Sequence, residues 1–282
     1  MTSGVLVVVG TPIGNLADLS PRAVEALAGA DSICCEDTRR TGRLLQHAGI
    51  DAPPLIVANE HTEAGAAARV VERLHRGERV AVVTDAGMPA ISDPGERIVA
   101  AALAAGFAVE VVPGPSAVVA AVAISGLPTD RWVFEGFVPR KGRDRTDRLA
   151  EIAAERRTVV LYEAPHRLER TLADLAAVCG GDRKVAVARE LTKLHEEVWR
   201  GSLGEATAWA SAAQPRGELV VVLDGMAAVP PPDDATILAA LRAELDRGSS
   251  TRDAAATVAA ALGVSRRRTY QLALDLAPPE SR

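Results

Sequence analysis

At 282 residues, 48% hydrophobic and 24% charged, the chain is long enough for about two domains and apolar enough to bury ordinary cores. Its net charge of −5 excludes a protein that holds nucleic acid by overall charge, so any RNA contact must come from local basic patches. The three cysteines, Cys34, Cys35 and Cys179, match neither a disulfide framework nor the spacing of a zinc site. No basic, signal-length apolar leader is read at the start, and no apolar run approaches the ~20 residues of a membrane span. The expectation is a reduced, cytoplasmic protein with no membrane segment.

Val5 to Val9 is an unbroken apolar run, which predicts a strand buried on both faces. It enters the loop Gly10-Thr11-Pro12-Ile13-Gly14, and Ser20 with Pro21 reads as the N-cap and first residue of a helix. Strand, glycine loop, helix is the general form of a phosphate or nucleotide cradle. The spacing is that of neither a P-loop nor a dinucleotide fingerprint. Asp31 to Cys35 predicts a second strand, with Cys34 and Cys35 on opposite faces, ending in Glu36-Asp37-Thr38-Arg39-Arg40. Leu55 to Val57 predicts a third, followed by Asn59-Glu60-His61-Thr62. Glu63 to Gly77 has helical spacing in Ala67, Val70, Val71 and Leu74. Residues from Val80 predict a fourth strand that runs into TDAGMPAISDPG, with Pro94 opening the next helix. Ala108 to Val112 predicts a fifth strand, ending in PGPSA.

Five such alternations imply a mostly parallel sheet, whose ligands lie beyond the carboxyl ends of the strands. Polar, titratable residues recur at those strand ends. Gly87 has no Cβ and allows a small molecule close to its backbone, and Asp85 and Asp93 place charge beside it.

Val118 to Ile124 reads as a helix of small residues in the crevice between two domains. Trp132 to Phe137 predicts a strand, followed by VPRKGRDRTDR at 138–148, with five basic and two acidic residues. That basic loop reads either as a solvated face or as an RNA-facing element. Strands at Thr158–Tyr162, Lys184–Ala188, His195–Arg200 and Glu218–Leu223, with helices at Leu168–Val178 and Gly204–Ala212, suggest a mixed sheet. A Pro-rich linker after Val229 leads to helices at 235–245, 253–262 and 266–274. The last two, joined by Gly263-Val264-Ser265, resemble a helix-turn-helix; Arg266, Arg267 and Arg268 open the second of them. This tail reads as a packing module or a nucleic-acid contact.

The stretches GTPIGNLADLS at 10–20, EDTRRTGRLL at 36–45, NEHTE at 59–63, TDAGMPAISDPG at 84–95, VPGPSA at 112–117, YEAPHRL at 162–168 and RELTKLHEE at 189–197 occur in this order. Together they resemble the ribosomal RNA small subunit methyltransferase I family, a branch of the tetrapyrrole methylase superfamily. Met88 stands where that family commonly has threonine, and Thr62 where asparagine is usual. The resemblance implies an α/β, two-domain class III methyltransferase fold with a small C-terminal helical module. It implies domains at 1–117 and 118–228, S-adenosyl-L-methionine in the cleft between them, and a linker with a helix-turn-helix-like tail at 229–282. It further implies a homodimer, no metal, and 2′-O-methylation of a cytidine ribose in the decoding region of 16S ribosomal RNA.

By the same resemblance, Asp85, Gly87, Pro89, Ile91 and Ser92 hold the amino-acid end of the cofactor. Ser116, Ala117 and Val118 line the cleft near the adenosine, and Tyr162, Glu163, Arg189 and Glu190 close it from the second domain. Glu36, Asp37, Glu60, His61 and Asp85 are the candidates for receiving the ribose proton. Arg39, Arg40, Arg140, Lys141, Arg143, His166 and Arg167, with Arg266 and Arg267 of the tail, are the candidates for RNA contact. The competing expectations are a tetrapyrrole C-methyltransferase and a non-enzymatic RNA-binding adaptor.

Overall fold

The computed structural model describes residues 4–59, 61–227 and 232–276. Its first half alternates as the apolar runs and caps require: β1 (Val5–Val9), α1 (Pro21–Ala28), β2 (Ser32–Cys35), α2 (Thr38–His47), β3 (Leu55–Val57), α3 (Glu63–His75), β4 (Arg79–Val82), α4 (Glu96–Ala104) and β5 (Ala108–Val112). The five strands form one sheet in the order β3-β2-β4-β1-β5, and every pairing is parallel. Side chains alternate across it. Val7, Val9 and Cys35 pack with α1 and α2 on one face, and Leu6 and Cys34 with α3 and α4 on the other. Both faces are therefore buried, as a parallel sheet requires. Ser20 caps α1, accepting from the Ala23 N–H at 3.1 Å, with Pro21 at the first helical position.

The second half comprises α5 (Ala117–Ser125), β6 (Trp132–Phe137), α6 (Arg143–Ala154), β7 (Thr158–Glu163), α7 (Pro165–Cys179), β8 (Lys184–Arg189), β9 (Glu197–Ser202), α8 (Leu203–Ala213) and β10 (Leu219–Leu223). Its sheet runs β6-β7-β10-β8-β9. β6 and β7 are parallel, and the remaining pairings antiparallel, so the expected mixed sheet is observed. One face packs on α6, α7 and α8 through Leu149, Ile152, Leu168, Leu172, Leu175 and Leu203. The other takes α5 through Val118, Ala121 and Val122. The body of α5 is laid on β8 and β10, clustered with Ile13 from the first half, and its N-terminal end borders the cleft.

The two sheets are joined through packing. Ile13, from the loop after β1, inserts among Val160, Ala186, Ala188 and Val220 of the second sheet. The Asn15 N–H donates to Thr192 Oγ1 at 3.1 Å. The chain divides after Met226 into two compact units. The second unit is a helical module of α9 (Asp234–Asp246), α10 (Thr251–Leu262) and α11 (Arg266–Leu276), packed through Ile237, Leu241, Val258 and Ala273. Its turn contains Gly263 at φ 63°, the left-handed position a helix C-terminus favours.

Two local expectations give way to longer-range contacts. The helix expected from Pro94 starts at Glu96. Gly95, at φ 142°, turns the chain there, and its N–H is satisfied by Oε1 of the buried Glu63 at 2.8 Å. The basic stretch at 138–148 is a loop only as far as Gly142; from Arg143 it is α6.

Candidate active site

The carboxyl ends of the parallel sheet face the mixed sheet across a cavity of about 500 Å³, a size typical of small-molecule sites. One wall is built by loops tied to each other. The Thr11 N–H donates to the Gly87 carbonyl at 2.8 Å, and the Gly87 N–H returns a bond to the Thr11 carbonyl at 3.1 Å. Gly10 and Gly114 pack backbone to backbone: a Cβ on Gly10 would lie 2.5 Å from the Gly114 nitrogen. Glu36 follows β2 and accepts from the Thr84 hydroxyl at 3.3 Å. Asp37 is the N-cap of α2, and its own N–H donates to Asp85 Oδ1 at 3.2 Å. Arg40, on the first turn of α2, stands 3.4 Å from Asp85 Oδ2.

The loop after β4 carries Gly87 at φ 84°, Ala90 at 71° and Ser92 at 61°. With Glu190 and Thr192, four of the five non-glycine residues described at positive φ lie in the two loops that meet at the cleft. Such strain concentrates where surrounding contacts enforce a geometry. Glu63, behind the loop, accepts from the Gly95 and Arg97 N–H groups at 2.8 and 3.1 Å and anchors its far end.

The opposite wall is apolar and aromatic. Phe137 and Tyr162 have ring centroids 5.6 Å apart, and Leu191, Leu219 and Val220 continue the surface. Glu163 lines this wall but is 2% exposed. Its oxygens accept from the Ala164 N–H at 2.8 Å and the Thr171 hydroxyl at 2.6 Å, with Arg167 Nε at 3.2 Å.

The electrostatics are uneven. Burial pushes the Asp93 carboxyl up to about 6; Glu36, Asp85 and Glu218 add to the rise, and the Thr84 hydroxyl opposes it. Burial also raises Asp85, against the Arg40 guanidinium. Burial pushes the Tyr162 phenol up to about 12, with Asp93 and Glu218 contributing. Arg39 beside the half-buried Asp37 holds that carboxyl well below the usual range.

Of the residues expected around the cofactor, Asp85, Gly87, Ile91, Ser92, Ser116, Ala117, Tyr162 and Glu163 line the cavity. Pro89 and Val118 are buried and lie off the lining. Arg189 and Glu190 also stand off it. Arg189 donates to the Arg216 carbonyl at 2.7 Å, and Glu190 accepts from the Glu218 N–H and Lys193 Nζ at 2.8 and 3.0 Å. Among the proton-acceptor candidates, Glu36 and Asp85 line the cavity. Asp37 is committed to capping α2, the exposed His61 does not reach the lining, and Glu60 lies outside the described residues.

For the basic candidates, Arg40 lines the cavity and Arg39 pairs with Asp37 at 2.8 Å. Arg140, Lys141, Arg143 and His166 are exposed. Arg167 is turned inward to Glu163 and the Val138 carbonyl. Arg266 and Arg267 are exposed on the first turn of α11.

Asp93, read from the sequence as charge beside Gly87, and Met88 also line the cavity, as do Phe137 and Glu218, to which the sequence assigned no role. Glu218 precedes β10, an antiparallel strand. Its amino end therefore shares an edge with the carboxyl ends of β7 and β8, so a search of carboxyl ends alone passes over it. Among the described residues no group of three or more His, Cys, Asp or Glu side chains is placed to hold a metal ion, and no helix is long and apolar enough to cross a membrane.

Comparison with known proteins is consistent across the chain. The sequence profile described as Tetrapyrrole (Corrin/Porphyrin) Methylases matches residues 5–207. Proteins named ribosomal RNA small subunit methyltransferase I from Synechocystis, Escherichia coli O157:H7 and Mycobacterium tuberculosis CDC 1551 are 44%, 43% and 45% identical to it. Those alignments cover 97%, 97% and 98% of this chain and 98%, 96% and 96% of the relatives. Among solved structures, the methyltransferase CobJ superposes with a TM-score of 0.61 at 23% identity, over 79% of this chain and 95% of that one. Diphthine synthase superposes at 0.60 and 17% identity, over 79% and 90%. These two likenesses establish the fold, and the profile and the full-length relatives establish the family: the chain belongs to the ribosomal RNA small subunit methyltransferase I branch of the tetrapyrrole methylases.

Proposed function

We propose that this protein transfers the methyl group of S-adenosyl-L-methionine to the 2′-oxygen of a cytidine ribose in the decoding region of 16S ribosomal RNA. The observation that carries the reading is the cavity's two-sided wall, in a chain that matches the named relatives over nearly its whole length. Its acidic side suits a cationic donor, and its aromatic and aliphatic side suits an adenine ring. Gly87 lines the cavity at φ 84°, a backbone conformation that a residue with a Cβ adopts only under strain. When bound, the cofactor supplies an electrophilic methyl group on a sulfonium. In this reading the loop at 85–93 holds its amino-acid end, and Ser116 and Ala117 meet its nucleoside.

The chain's part in the chemistry is positioning and proton acceptance. Asp85 is the strongest candidate for the proton, since it faces the cavity and burial raises its carboxyl despite the Arg40 guanidinium beside it. Glu36 and Asp93 set the field around it. Glu163 and Arg167 hold the mixed-sheet wall in place.

The reading includes two lobes, at 1–117 and 118–228, a cytoplasmic location, and a homodimer. Exposed apolar side chains support the dimer: Val111 on the edge strand β5 and Val119 on α5, both 56% exposed, and Ile124 at 38%.

The test is transfer of labelled methyl from S-adenosyl-L-methionine to small ribosomal subunits from a strain lacking the modification. Label on a cytidine ribose is the expected result. Cofactor binding with label only on a tetrapyrrole, or RNA binding with no methyl transfer to any substrate, would overturn it.

A further inference from the structure

A second, smaller cavity of about 280 Å³ adjoins the first. The two share Ile13, Arg40, Asp85, Ala86 and Glu218, so Asp85 stands on a wall common to both. Their charges differ in sign. The larger cavity is lined by five carboxylates (Glu36, Asp85, Asp93, Glu163 and Glu218) and one guanidinium, Arg40. The smaller is lined by three cations (Arg40, Arg43 and Lys193) and two carboxylates, Asp85 and Glu218. A cationic methyl donor is favoured in the first, and an anionic group in the second.

The cations come from both sides of the cleft. Arg40 and Arg43 are three residues apart on α2, so their side chains rise from neighbouring positions on one face. Arg43 is exposed and enters none of the ion pairs of the described residues. Lys193 arrives on the loop after β8, where Gly14 makes room: a Cβ on Gly14 would collide with the Lys193 stem and Thr192 Oγ1. Its ammonium bridges Glu190 and Glu218 at 3.0 and 3.1 Å. The uncharged part of the lining combines Thr11, Thr41 and Thr84 with the apolar Pro12, Leu44 and the 42% exposed Leu16. Beside Lys193, Leu194 is 92% exposed. Cations beside an exposed apolar strip match the two characters of a nucleotide, a phosphate and a base.

We infer that the smaller cavity is the acceptor subsite, taking one nucleotide of the RNA strand with its phosphate on Arg40 and Arg43 and its base against Pro12 and Leu16. The inference rests on the methyl-transfer reading above. It places the ribose of the held nucleotide at the shared wall, next to Asp85, and assigns Arg43, Lys193 and Leu16 to RNA binding.

The decisive variant is Arg43→Ala, with Leu16→Ala as a second and Arg22→Ala, which lines neither cavity, as the control. Thermal midpoint, cofactor Kd by calorimetry, and KM and kcat with small subunits are measured for each. For Arg43→Ala the expected result is a rise in subunit KM on the order of tenfold, with cofactor Kd and kcat unchanged. The slope of log affinity against log salt falls by about 1. Leu16→Ala raises the same KM without changing the salt slope, and Arg22→Ala matches wild type. If wild type is active while Arg43→Ala and Leu16→Ala keep its KM and slope, the subsite is wrong and the methyl-transfer reading stands. An equal rise in cofactor Kd would assign the cavity to the cofactor and also overturn the subsite. Wild type that methylates no RNA removes the reading, and the subsite with it.

Discussion

The two walls of the main cavity both carry carboxylates at strand ends, yet they treat them oppositely. Glu163, at the end of β7, is buried and fully partnered by the Ala164 N–H, the Thr171 hydroxyl and Arg167. Asp93, on the loop after β4, enters no ion pair among the described residues and faces Glu36, Asp85 and Glu218. A buried carboxylate with both oxygens engaged fixes geometry. One crowded by like charges retains a proton at higher pH and is placed to exchange it. The mixed-sheet wall thus holds a closely partnered carboxylate in Glu163, and the parallel-sheet wall one crowded by like charge in Asp93. A carboxylate at a strand end is therefore chemical or structural according to its partners, not its position.

The sharpest way to break that comparison is Asp85→Asn. If the parallel-sheet wall carries the chemistry, kcat falls by about 10²–10⁴ while the thermal midpoint stays near wild type; full turnover would move the proton acceptor elsewhere. Glu163→Ala tests the other wall. It leaves Arg167, whose side chain is 17% exposed, without its carboxylate, and costs about 3 kcal/mol in denaturant unfolding. A variant as stable as wild type would remove Glu163 from the frame.

Asp93→Asn gives a smaller effect with a defined sign. The folded carboxyl lies near 6, above the roughly 3.9 of an unfolded aspartate. Between those values the native state holds a proton that the unfolded state has released, so stability falls as pH rises through that window. Asp93→Asn flattens this limb and is the more stable protein at neutral pH; unfolding curves on either side of the window check it. The smallest effect belongs to Arg143→Ala. Arg143 and Asp147 form an exposed pair one turn apart on α6, 3.3 Å between charged atoms. Its loss changes stability by no more than about 0.5 kcal/mol, and unchanged RNA affinity would take Arg143 off the RNA face.

Much of the fold was legible because its determinants are local. The β1 run, Ser20 with Pro21, and the alternation of Cys34 and Cys35 between faces all follow from residues within a turn or two of each other. The motif at 84–95 was likewise readable as a ligand loop, because a strand end with two glycines and two aspartates is unusual in plain packing. The basic stretch at 138–148 was not readable. Arg145 is buried against Asp174 at 2.6 Å, 29 residues away, and Arg148 pairs with Glu135. A run that scores as net positive is thereby partly neutralised and folded into α6.

By itself, then, the sequence determined the parallel sheet, the mixed character of the second sheet, the capped start of α1 and the family, since hydrophobic period, cap chemistry and ordered motifs act over short spans. Only the tertiary structure decided which charges are free. Asp85 accepts from the Asp37 N–H across 48 residues, and Glu63 holds the Gly95 N–H across 32. Lys193 and Glu218 reach the cleft from the far sheet. Burial and partner distance set a carboxylate's proton affinity and an arginine's availability, and both are properties of the packed chain.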